Sequence, residues 1–126
     1  MRTKFLMTSS ALFCGIIGIL LSFLPNEIVE YFSVEPTIIT ILFLQILGAL
    51  YLGFGILNWT AKGSLIGGIY NKPIVLGNLL HFAVGAIELI KVIFNIQAHK
   101  EIIIFLTVFY VIFALLFAYV IKTNPT

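Results

Sequence analysis

Four apolar stretches, at about residues 5–24, 37–59, 74–96 and 102–121, dominate the chain, and each is long enough to cross a hydrocarbon core of about 30 Å. Inside a bilayer no water is available to the backbone, so stretches of this kind are restricted to helices that satisfy their own N–H and C=O groups. The predicted fold is therefore all-α: a polytopic membrane protein, an antiparallel bundle of four transmembrane helices, with residues 1–126 forming a single integral membrane domain. Of the 126 residues, 61% are hydrophobic and 10% charged, where soluble domains carry roughly 25% charge. That leaves no length for a soluble catalytic domain. The net charge of +2 is ordinary for the loops of a membrane protein and points to no nucleic acid; the bilayer itself is the expected partner. Arg2 and Lys4 precede the first stretch as they would in a secretory leader. No small-x-small cleavage pattern follows it, and Phe13 before Cys14 argues against a lipoprotein site, so this stretch reads as an uncleaved anchor.

The loop charges set an orientation. Arg2, Lys4, Lys62, Lys72 and Lys122 fall at the N-terminus, the middle loop and the C-terminus, which four crossings put on one side of the membrane, and basic residues mark the cytoplasmic side. Glu27, Glu30, Glu35 and Glu101 fall opposite, with Lys100. Both termini are expected in the cytoplasm of a bacterial-type inner membrane. Residues 25–36 read either as a short amphipathic helix, with Ile28, Tyr31 and Phe32 turned to lipid, or as a plain loop. The middle loop has an apolar, glycine-rich interior at Ser64 to Tyr70 that suits the inner interface or a partial re-entry. It is not a phosphate loop, because Lys62 precedes Gly63 and no Gly-Lys-Ser/Thr ending exists.

Chemistry is concentrated in the third stretch, where Asn78, His81, Gly85, Glu88, Lys91 and Asn95 recur at steps of three and four and so share one helix face. Ionisable groups at membrane depth are costly and mark functional sites by default. In the second stretch Gln45, Gly48, Leu52, Gly55 and Asn58 follow the same spacing. Folding the chain about the middle loop sets Gln45 level with Glu88 and Gly48 level with Gly85, so two glycines are expected to let the backbones close up while Gln45 bonds the Glu88 carboxyl. Folding about the outer loop sets Tyr110 near Glu88 and Thr107 near Lys91. In the first stretch Ala11, Gly15, Gly18 and Ser22 supply small residues for close packing. Trp59, Tyr31, Tyr70 and Tyr119 suit an aromatic belt.

Two readings of the third-stretch stripe compete. In one it is a structural seam that fixes helix register, with Glu88 either neutral and hydrogen-bonded or ion-paired to Lys91. In the other it is a proton or solute path, with Glu88 titrating, His81 and Lys91 modulating it, and Gln45, Asn78 and Tyr110 lining the way. His81 is seven residues from Glu88, a rise of about 10 Å, so the two cannot bond directly. No cofactor is implied. His81 and His99 lie at different depths and no His/Cys/carboxylate set has ligand spacing, so no metal or haem site is expected. The lone Cys14 excludes an internal disulfide and any paired-cysteine mechanism, as in mercury carriers or thiol oxidases.

The run Leu24-Pro25-Asn26-Glu27-Ile28, followed by Leu44 through Gly53 as LQILGALYLG, resembles the small four-helix membrane proteins of the DoxX-like superfamily. The resemblance implies the four-helix architecture over most of the chain and carries no catalytic motif. Some members have been linked to respiratory or thiol-stress complexes, and Cys14 standing alone puts thiol chemistry in doubt here. Small multidrug transporters place their acidic residue in the first span, and fluoride channels insert in both orientations; neither pattern is present. The expected function is that of a small accessory or interaction subunit, whose partner is another membrane protein or a second copy, with an enzyme ranked third. The alternative is a proton-linked transporter of a small solute using Glu88.

Overall fold

Apolar stretches that can hydrogen-bond only to themselves become helices, and the polar or proline-containing breaks between them set the ends. In the computed structural model, which describes residues 3–63 and 72–123, these are α1 (Thr3–Phe23), α2 (Pro25–Tyr31), α3 (Ile38–Ala61), α4 (Lys72–Ile93) and α5 (Lys100–Thr123). Four of them are long and apolar enough to span a bilayer. The chain is an all-α integral membrane protein. The expected spans are all present, but α4 stops at Ile93, three residues before its predicted end, and α5 starts at Lys100, two before its predicted start. The segment from Ser64 to Tyr70 lies outside the described residues.

Two compact units make up the chain, Met7–Gly63 and Ser64–Thr126 with Met1–Leu6. In the first, α1 and α3 run antiparallel and meet through small residues. A Cβ built on Gly48 would lie 2.5 Å from Ser22 Oγ and 2.8 Å from Ser22 N; one on Gly18 would lie 2.8 Å from Leu52 N; one on Gly55 would lie 3.2 Å from Gly15 N. Each step down α1 is matched by an equal step up α3, so the helices are in register along their length. The buried face of α3, at Gly48, Tyr51, Gly55, Asn58 and Ala61, follows helical spacing.

Residues 25–36 include a true helix. Pro25 occupies the first helical turn, where its missing N–H costs nothing, and Pro25 and Val29 are buried as α2 packs on α3. Ser33 takes a positive φ of 57° as the chain leaves α2, and Thr37 caps α3 by accepting from Thr40 N at 3.1 Å. At the other end of α3, Lys62 Nζ lies 3.2 Å above the Trp59 ring, a cation–π contact suited to an interface.

The second unit is a hairpin of α4 and α5, turned by residues 94–99 with His99 at φ 60°. Phe82, fully buried, packs against Tyr110, Phe113 and Phe117 with ring centroids at 5.1, 5.0 and 5.9 Å. Tyr110 fills the notch at Gly85, where any Cβ would overlap its ring. The notch at Gly48 is filled by Ser22 and Leu21. Each notch is thus occupied from within its own unit, by a neighbour that counting residues from a loop centre does not identify.

Gly48→Ala should lower stability in detergent by about 1–3 kcal/mol, since the new methyl meets the Ser22 backbone as well as a movable hydroxyl. Gly53→Ala, at an open position with nothing within 4 Å of a built Cβ, should be neutral or slightly stabilising. Equal losses for both in a denaturant titration would contradict the α1–α3 packing.

Candidate functional site

The polar residues of α4 fall at three levels. At the first level, Asn78 is fully buried and its Nδ2 donates to the Ile74 carbonyl at 2.9 Å, a bond back into its own helix that keeps the amide satisfied. At the second, close to the midpoint of α4, His81 Nε2 and the Tyr110 hydroxyl are 3.1 Å apart, in the middle of α5 as well. Depending on the imidazole tautomer, either the phenol donates to the ring nitrogen or the ring N–H donates to the phenol. Phe82 stands edge-on to His81 at 4.6 Å, and Tyr110 is buried, so this bond is shielded from competing donors.

The third level is near the C-terminal end of α4. Glu88 and Lys91 form a pair at 3.7 Å, with side chains 63% and 67% exposed respectively. Ending α4 at Ile93 puts Glu88 roughly 8 Å from the helix end and about as far from the helix midpoint. Asn95 donates from Nδ2 to the Lys91 carbonyl at 2.9 Å, so it prolongs the helix end rather than the intramembrane stripe.

The expected site is therefore redistributed. Tyr110 was predicted beside Glu88, yet its hydroxyl reaches His81 and its ring lies on Gly85. The cause is the outer turn: it begins at residue 94 rather than 97 and α5 starts two residues early, so the hinge moves by about 2.5 residues and the position facing Tyr110 by about five, from Glu88 to between His81 and Gly85. Thr107 was expected near Lys91; its hydroxyl donates to the Ile103 carbonyl at 2.7 Å. Of the two alternatives for Glu88, the ion pair with Lys91 is present. Gln45 is exposed. Of the packing glycines, Gly18 and Gly48 contact the facing helix closely, while Gly15 offers its backbone to Gly55.

Two features escaped the sequence reading. Ser10 Oγ accepts from Asn58 Nδ2 at 3.0 Å and donates to the Met7 carbonyl at 3.1 Å, with both residues fully buried; an isolated serine in an apolar span carries little signal. The aromatic core around Phe82 had one, since Phe105, Phe109, Phe113 and Phe117 recur every four residues. Among the described residues, every buried side-chain nitrogen and oxygen has a hydrogen-bond partner, and no three His, Cys, Asp or Glu side chains gather as a metal would require. Comparison with protein-family models, with curated proteins and with solved structures finds no match.

Chemically, the His81–Tyr110 pair joins two helices through one shared hydrogen bond, and in membranes such bonds average about 0.6 kcal/mol. Tyr110→Phe should accordingly cost about 0.5–1.5 kcal/mol, because the ring still fills the Gly85 notch. Tyr110→Ala should cost about 3–5 kcal/mol by emptying that notch beside Phe82. Reversible unfolding in mixed micelles measures both; a Phe variant as damaged as the Ala variant would contradict this division of roles.

Proposed function

We propose that the chain is a small accessory or interaction subunit of a membrane assembly, of the DoxX-like type its sequence resembles, residing in a bacterial inner membrane with both termini in the cytoplasm. The observation that carries this reading is Gln45. Its amide is exposed on a helix of which only 11% of the apolar window is buried, against 39% for α1, and among the described residues no side-chain hydrogen bond or other polar contact involves it. A carboxamide facing hydrocarbon unpaired is unfavourable, and glutamine is among the side chains that bond across membrane helices. Ala49 and Gly53 continue the same exposed face at steps of four, leaving room for a second backbone to approach. The other membrane-depth polar groups are engaged internally, Ser10 with Asn58 and His81 with Tyr110, which favours a scaffold over a solute path. For orientation, Lys62 follows α3, Lys72 opens α4 and Lys122 closes α5, whereas Glu27, Glu30 and Glu101 stand at the opposite helix ends.

A photoreactive amino acid placed at Ala49 in native membranes tests the role. The expected result is a discrete adduct with a different membrane protein, lost when Gln45→Leu is added. Adducts with lipid alone, or only with a second copy of the chain, would overturn the accessory role, as would a proton-coupled flux in proteoliposomes that Glu88→Gln abolishes. Orientation is checked by cysteines at Ser33 and Lys62: an impermeant reagent on intact cells should label the first and spare the second.

A further inference from the structure

The C-terminal end of α4 carries a groove lined by Glu88, Lys91, Val92, Asn95 and Ile96. Its charges are paired only loosely: 3.7 Å between Glu88 Oε2 and Lys91 Nζ is beyond hydrogen-bond distance, and both side chains are more than half exposed. Asn95 has committed its Nδ2 to the Lys91 carbonyl, which leaves its Oδ1 as an acceptor. Below the groove Leu80, Val84 and Ile87 are 62%, 52% and 56% exposed, an apolar strip on the same helix face that continues toward the membrane centre. Lys91 is two residues from the end of α4 and Asn95 lies just past it, with Glu88 roughly 8 Å inside that end, so the long Lys91 side chain can snorkel toward the level where acyl chains meet headgroups.

We propose that this groove binds a phosphatidylethanolamine headgroup, with an acyl chain along Leu80, Val84 and Ile87. The charge pattern selects among lipids. The phosphate meets Lys91 Nζ, and the primary ammonium donates to the Glu88 carboxylate and the Asn95 carbonyl, so a neutral site holds a neutral zwitterion with both ends engaged. Phosphatidylglycerol supplies the phosphate but no cation for Glu88. Phosphatidylcholine supplies a cation without an N–H to donate. The inference stands apart from the accessory role, since it concerns α4 and that role concerns α3.

The test is native mass spectrometry of the full chain released from detergent supplemented with each of the three lipids in turn. Phosphatidylethanolamine should bind about tenfold more tightly than phosphatidylcholine, the difference of one charge-assisted hydrogen bond. E88Q should abolish that preference while K91M weakens both lipids, and a parallel melt will show whether either variant is still folded. Should E88Q unfold, V84W, which blocks the acyl strip and leaves the charges, should still weaken all three lipids. Equal binding of the ethanolamine and choline lipids by the parent, retention of the preference by E88Q, or a protein dimer that occupies the groove and excludes lipid would each overturn the proposal.

Discussion

Lipid gives helices no hydrophobic reason to associate, because a neighbouring acyl chain is as apolar as a leucine; close backbone packing and shared hydrogen bonds must supply the attraction. Everything ordered in this chain follows from that constraint. Along α1 and α3, glycines at 18, 48 and 55 bring backbone within van der Waals reach of backbone, and the pairing ends at a polar stitch from Asn58 to Ser10. Along α4 and α5, one glycine receives a tyrosine ring, and the same tyrosine reaches back to His81. Each hairpin therefore combines a notch with a hydrogen bond. The notch brings the helices close, and the bond selects the register in which they do so.

The same constraint explains how the polar residues are distributed. Those that are buried, Ser10, Asn58, Asn78 and Thr107, are satisfied within the bilayer by a helix carbonyl or by a facing side chain. Those that are charged, Glu88 and Lys91, pair with one another in the C-terminal third of α4. Gln45 fits neither group. It is exposed along a helix that is barely covered, and on that account the proposed partner is sought at α3 rather than at the histidine or the carboxylate.

Span number, span length and helical class were legible in the sequence because hydropathy reports them directly: four windows of suitable length admit few alternatives. The short helix α2 was legible as one of two options, with Pro25 preset for a first turn. Pairing was not legible at the same precision. Locating Tyr110 against α4 depended on where the outer turn begins, and Phe94 and Asn95 are compatible with either a helix or a turn until the chain is folded. The place of Glu88 along its helix shifted for the same reason, since the stretch was taken to extend to Ile96 and the helix stops at Ile93. The periodic stripe correctly grouped His81, Glu88 and Lys91 on one side of a helix. It could not separate an interior histidine from a pair of charges at the helix end, because periodicity fixes an angle and leaves the depth open.

The central claim is that buried polar side chains hold these helices in pairs, and a double-mutant cycle at Ser10 and Asn58 tests it most directly. Ser10→Ala, Asn58→Leu and the double variant would be unfolded reversibly in mixed micelles, and the coupling energy read from the four stabilities. The account predicts a favourable coupling of about 0.5–1.7 kcal/mol, the range of hydrogen bonds between membrane helices. Additive losses, with a coupling indistinguishable from zero, would contradict it.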